Sequence, residues 1–120
     1  MKKFILILTT SLLLLSCDVF DKQTNAELIS ANPMEDYAWL KVMKTTMTNC
    51  SCEISIIQGT YNRRTVFFIA LTDILCDGID MPTLYDSNGK AVRTFTSTDY
   101  REFYDHVTRD KVLYRCKTVQ

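Results

Sequence analysis

The sequence predicts an α+β domain, a small antiparallel sheet of four to five strands packed with two helices and stapled by disulfides. Three observations carry this expectation. Apolar residues recur at helical spacing in two stretches, as Leu40, Met43 and Met47 and as Tyr100, Phe103, Tyr104 and Val107. Short β-favouring runs at 52–61, 65–71, 83–86 and 91–95 are separated by turn residues. Four cysteines (Cys50, Cys52, Cys76 and Cys116) are spread through the same region, and a core this small is marginal without staples.

Each element has its own warrant. Asn32 offers an N-cap amide, Pro33 occupies the first helical position, where its missing N–H costs nothing, and Glu35 is placed to bond back, so a helix is expected from Pro33 to Met47. Tyr37 precedes its apolar stripe by a turn, and Trp39 adds bulk beside it as an anchor of helix against sheet. Residues 52–61 alternate as a half-buried strand, and Thr65–Leu71 is a nearly continuous apolar run. Asn62, Arg63 and Arg64 connect the two as a hairpin, with Asn62 tolerant of positive φ. A second hairpin follows, Thr83–Asp86 and Ala91–Phe95 about the turn residues Ser87, Asn88, Gly89 and Lys90. Ser97 and Thr98 can cap a second helix reaching Arg109, and a last strand near Lys111–Lys117 alternates so as to place Val112, Tyr114 and Cys116 together.

Cysteine pairing stays open among three connectivities. If Tyr61 pairs with Thr65, continued pairing sets Cys50 opposite Cys76, whereas a bulge or a shorter turn brings Cys52 diagonal to it. In either case the remaining cysteine reaches Cys116. Cys50 and Cys52 are poor partners for each other, because alternate strand positions are held apart by the pleat. Zinc is disfavoured: Cys50-Ser51-Cys52 is a C-x-C, no second close pair follows, and the chain has a single histidine, His106.

Thr72–Pro82 holds Asp73, Asp77, Gly78 and Asp80, but Ile74, Leu75 and Ile79 interrupt any alternation of ligands and no closing glutamate follows. A solvated loop pinned by Cys76 is therefore expected rather than a calcium site. No metal, cofactor or catalytic residue is expected anywhere. His106 lies on the apparent solvent side of the second helix, its neighbour Asp105 points about 100° away, and the three glycines form no phosphate loop.

Ahead of this domain, Lys2 and Lys3 form a positive n-region, Phe4–Leu15 an apolar stretch of 12 residues, and Leu14-Leu15-Ser16-Cys17 sets a small residue before a cysteine. The stretch is too short to span a bilayer. It resembles the lipobox of bacterial lipoproteins, which implies diacylglycerol on the Cys17 sulfur, cleavage before it, and acylation of the new amino terminus. The expected organisation is a signal peptide at 1–16, lipidated Cys17 with a flexible tether through residue 31, and one domain from 32 to 120. Cleavage would leave 12 basic against 14 acidic side chains, with the basic ones scattered, so neither nucleic acid nor an anionic lipid patch is an expected partner. Lipidation would consume one of the five cysteines and leave an even number in an oxidising compartment. Asp18 leaves the membrane open. In enterobacterial lipoproteins it resembles an inner-membrane retention mark, and in Bacteroidetes-type lipoproteins acidic residues near the cysteine can accompany export to the surface.

Further along stand Asn32-Pro33 before a helix with Trp39-Leu40-Lys41, then Cys52-Glu53-Ile54-Ser55-Ile56, Thr60-Tyr61-Asn62-Arg63-Arg64-Thr65-Val66-Phe67-Phe68, Cys76-Asp77 and Leu84-Tyr85-Asp86-Ser87-Asn88-Gly89. In this series the chain resembles the small lipoproteins abundant in Bacteroidetes, a family with no assigned activity. The resemblance covers residues 32–92. Arg63 and Arg64 stand where that family usually has a glycine-containing turn, and the chain departs from it after Phe95. The expected function is that of a membrane-anchored envelope lipoprotein, a binding or interaction module for an envelope protein or small ligand. The alternatives are a small envelope enzyme and an inhibitor of an external hydrolase.

Overall fold

The computed structural model describes residues 28–118. Five strands form one antiparallel sheet in the order β4-β3-β2-β1-β5, where β1 is Ile54–Tyr61, β2 Arg64–Leu71, β3 Thr83–Tyr85, β4 Ala91–Thr94 and β5 Thr108–Cys116. Helices α1 (Pro33–Asp36) and α2 (Ala38–Thr46) precede the sheet, and α3 (Tyr100–His106) lies on the path from β4 at one edge to β5 at the other. Two disulfides, Cys50–Cys116 and Cys52–Cys76, complete the expected α+β, disulfide-stapled architecture.

The sheet is covered on both faces. Ile56 and Ile57 in β1, and Val66, Phe67 and Phe68 in β2, are consecutive and all buried. Because successive strand side chains point to opposite faces, the fold has two cores. Leu40, Met47, Cys50, Ile56, Phe67 and Cys116 form one, with α2. Ile57, Val66, Phe68, Leu84, Phe95, Phe103 and Val107 form the other, with α3. A strand buried on both faces does not alternate, which is why Thr65–Leu71 reads as a nearly continuous apolar run.

The first helix departs from an unbroken Pro33–Met47. Tyr37 is extended (φ −99°, ψ 107°) between α1 and α2, and α2 ends at Thr46. Asn32 caps with its carbonyl, which accepts the Glu35 and Asp36 N–H groups at 3.1 Å, and its side chain makes no cap bond. Tertiary packing overrides helical propensity at the break. The Tyr37 ring meets Phe67 edge-on at 5.8 Å, and its hydroxyl accepts the Ser30 N–H at 3.0 Å. Trp39 anchors α2 on the sheet as expected, stacked edge-on to Phe67 at 5.7 Å with its Nε1–H donated to the Ser87 carbonyl at 2.8 Å. That seat leaves no room over the β3–β4 turn: a Cβ added to Gly89, which has φ 79°, would come within 2.7 Å of the Trp39 ring.

The first hairpin is one residue tighter than a Tyr61–Thr65 pairing. Asn62 and Arg63 both take positive φ (49° and 64°), so a two-residue turn joins the strands and Tyr61 pairs with Arg64. Turns of that hand match the twist of the flanking strands. The shift removes Cys50 from the position opposite Cys76; Cys76 reaches Cys52 because the chain turns back on itself at 73–76, while Cys50 bridges to Cys116 at the end of β5.

The C-terminal region is corrected in two respects. Helix α3 is shorter than Thr98–Arg109, because Val107 is already extended (φ −105°, ψ 121°) and buried in the second core. Strand β5 starts at Thr108 and meets β1 through two irregularities: Ile56 pairs with Tyr114 but Ile57 with Val112, and Gln58 pairs with Lys111 but Gly59 with Arg109. Each extra residue reverses the alternation. Val112 therefore leaves the face of Tyr114 and Cys116 and is partly exposed, contrary to the simple alternation of the sequence.

Gly59 sits against the start of β5, beside a register shift. A Cβ there would lie 1.9 Å from the Thr108 carbonyl oxygen, far inside contact distance and against backbone. Gly59→Ala is expected to displace the start of β5 and to cost about 3 kcal/mol, the upper part of the usual range for overpacking. The urea midpoint of the variant checks this, and an unchanged midpoint would contradict the close approach.

Candidate functional site

The feature that stands out from this scaffold is the segment between β2 and β3. Thr72 still extends the ladder, donating its N–H to the Glu53 carbonyl at 2.9 Å. Asp73 then substitutes a carboxylate for a strand partner. Its Oδ2 accepts the Glu53 N–H at 3.1 Å and its Oδ1 accepts the Leu75 N–H at 3.0 Å. The Cys76 N–H reaches the Asp73 carbonyl at 3.3 Å, closing a β-turn with Ile74 and Leu75 at its two corners. The Cys52–Cys76 disulfide fixes the far side of the turn to the segment leading into β1, two residues before its start.

Asp80 closes the base of the loop. Its Oδ1 accepts the Leu71 N–H at 2.8 Å, its own N–H donates to the Tyr104 hydroxyl at 2.9 Å, and its Oδ2 pairs with Arg109 at 2.9 Å. Residues 73–81 thus form a compact Ω-like loop held by one covalent bond and a set of charge-assisted bonds. On it, Ile74 is 96% exposed and Leu75 85%, with Ile79 and Met81 also exposed, and Tyr104 of α3 is exposed beside its base. Each of the two corner side chains forgoes roughly 2 kcal/mol of burial in the isolated chain. Single exposed aliphatics are ordinary, but several on one staked loop mark an interaction surface.

Hydrogen bonding sets the charge state of the loop base. The backbone N–H groups of Glu53 and Leu75 hold the Asp73 carboxyl below the ordinary aspartate range, and Lys117 adds to this. The Thr72 hydroxyl, followed by Arg115, lowers Glu53 in the same direction. A depressed carboxyl stabilises the folded loop fully above its unfolded pKa, and the contribution is lost as pH falls through the lower folded value. Acidification below the ordinary aspartate value of about 3.9 should therefore loosen the turn before the sheet. Hydrogen exchange of the Leu75 and Glu53 amides, corrected for intrinsic rate, should accelerate ahead of the Ile57 and Phe68 amides.

The expected site residues fall as follows. The sulfurs of Cys52 and Cys76 lie with an Asp73 oxygen within 4.8 Å of one another, yet these sulfurs are bonded together and offer no thiolate to a metal. His106 and Asp105 are exposed at the end of α3. Cys17, the lipidation candidate, lies outside the described residues, as does most of the tether. Among the described residues no helix is long and apolar enough to cross a membrane. An open groove of about 480 Å³ runs between α2 and β5, with Lys41 and Lys44 on its rim and Met47 and Tyr114 in its wall. Lys44 stands 4.7 Å over the Tyr114 ring.

One polar network had no signal in the spacing of its members. Arg93 bridges Asp99 at 2.9 Å and Glu102 at 2.7 Å, and Tyr61 donates its hydroxyl to Glu102 at 2.7 Å. That bond, reinforced by burial, raises the Tyr61 phenol above its ordinary value. The network joins β1, β4 and α3, and its carboxylates are committed to the arginine. Comparison of the chain with family models, with curated proteins and with solved structures gives no match in any of the three.

Proposed function

We propose that this chain is a membrane-anchored lipoprotein of the bacterial cell envelope and that its domain is an interaction module. The observation that carries the second half is the staked loop: a turn fixed by a disulfide and two aspartates presents Ile74 and Leu75 to solvent. Preorganisation of this kind lowers the entropy cost of association. The first half rests on the sequence from Lys2 to Cys17 and on an even set of four cysteines, all bridged, in the remainder of the chain. The resemblance to small Bacteroidetes lipoproteins supports the first half.

Inhibition of an external hydrolase is the second reading, favoured by the same loop, since an inhibitor needs a rigid protruding segment. Amine-reactive crosslinking in the native envelope, followed by identification of what is joined to the chain, tests the proposal. A discrete adduct with an envelope protein, formed only by the membrane-bound chain, is the expected result. Recovery of the chain from the soluble fraction with no discrete adduct would overturn it, and turnover of the captured species by the purified chain would replace it with an enzyme.

A further inference from the structure

We infer that Asp18 to Lys22 of this chain dock in the open groove between α2 and β5, as a strap laid across the domain. The groove has an ordered lining. Its wall is apolar, built from Met34, Met47 and Tyr114, and its charges run from Glu35 on α1 to Lys41 and Lys44 on α2. Among the described residues none of these three charges is in an ion pair. Lys44 stands over the Tyr114 ring, which positions its ammonium without neutralising it. Such a groove calls for an apolar side chain between two acids, with a base on the side of Glu35. Between Cys17 and Leu28 the only large apolar side chains are Val19 and Phe20, flanked by Asp18 and Asp21, and Lys22 follows. Laid with Lys22 toward Glu35, this stretch turns its two aspartates toward Lys41 and Lys44 and sets Phe20 against the wall.

Chain connectivity gives the same direction. Ile29 packs on the core against which Met34 and Tyr114 also pack, and the Ser30 N–H is held by the Tyr37 hydroxyl at the break between α1 and α2. The segment before Leu28 therefore meets the groove from the α1 end, where Glu35 lies. Asp21 is seven residues before Leu28, a reach of about 23 Å when extended, whereas the nine residues of α2 span about 14 Å. An attached segment is also favoured over a free one. A free ligand loses its translational and rotational freedom, a cost that a shallow, open groove offsets poorly, while a short linker supplies its segment at a millimolar effective concentration. Where Cys17 carries lipid, as proposed above, the docked strap holds α2 against the membrane and fixes which face of the domain points away from it.

The full-length chain, with photoreactive benzoylphenylalanine replacing Phe20, is irradiated in cells and its adducts are mapped by peptide mass. The inference expects an adduct within one chain, on Met34, Met47 or Tyr114. Lys41→Glu combined with Lys44→Glu should lower its yield about fivefold or more, with both disulfides intact by mass, and Asp21→Lys added to that pair should restore about half of it. A mere disturbance of α2 would not be reversed by a change at position 21. Adducts only to acyl chains, to another protein or to a second copy, the last recognised by mixing isotopically light and heavy chains, would overturn the inference. So would no adduct, a yield indifferent to the two lysines, or a loss that Asp21→Lys does not restore. Fatty-acid label read on Cys17 in the same samples keeps the lipoprotein proposal separate: docking without label sinks that proposal alone, and label without docking sinks the strap alone.

Discussion

Cys17→Ser is expected to abolish lipid incorporation and leave an unprocessed precursor, while residues 28–118 retain their fold. A serine hydroxyl is a far weaker nucleophile than a thiolate and does not form the thioether to diacylglycerol. The loss is large because each buried CH₂ of an acyl chain contributes about 0.8 kcal/mol, and one myristoyl-length chain alone holds only marginally. Two chains on the glycerol and a third on the amine would make attachment effectively permanent, and the variant would lose all of it at once. Metabolic labelling with a fatty-acid analogue reads this directly. Label retained by the serine variant, or absent from the parent chain, would remove the lipoprotein proposal and the envelope localisation with it.

The second large effect concerns the bridges. Cys50–Cys116 spans a sequence separation of 66 and Cys52–Cys76 one of 24. Closing loops of those lengths in the unfolded chain corresponds, on the chain-entropy model, to about 4 kcal/mol and about 3.5 kcal/mol respectively. The longer bridge also lies within a core, since Cys50 and Cys116 pack with Leu40, Met47, Ile56 and Phe67. Replacing both residues by alanine is expected to cost about 4 kcal/mol or more, a large share of a small domain's stability. Removing Cys52 and Cys76 should cost somewhat less and release the loop while leaving the sheet. Chemical denaturation with mass analysis separates the two cases. Equal midpoints for the two double variants would contradict the placement of the longer bridge in the core.

Most of the scaffold was legible because its signals are local. Asn62 before a β-favouring run announces a hairpin, and Phe103 announces the buried face of α3. What misled was whatever needed a distant partner to decide it. Tyr37 leaves the helix for a contact with Phe67, thirty residues on. Leu113 and Asp110 become extra residues only in register with β1, so Val112 changes face without any change in its own sequence neighbourhood. Arg63, which lacks the glycine or asparagine that favours positive φ, concealed a two-residue turn. For the candidate site, Ile74, Leu75 and Ile79 were visible as interruptions of a calcium-like pattern, and 72–82 as a protruding loop. Their exposure was not, because it depends on Asp73 reaching Glu53 and Asp80 reaching Leu71 and Arg109. Acidic residues at the two ends of a cysteine-pinned loop were the available signal.

The placement of the disulfides has a mechanical consequence. Tension between a membrane-held N-terminus and a partner gripping Leu75 would enter through α1 and α2, pass Cys50, Ser51 and Cys52, and cross the Cys52–Cys76 bond next to the gripped turn. Residues 53–74, which include β1 and β2, would lie outside that covalent line. A pull directed toward the C-terminus would cross from Cys50 to Cys116 and bypass the strands as well. In both directions the sheet sits beside the load path, and the segments that must bear force are the two N-terminal helices, held through Leu40 and Met47.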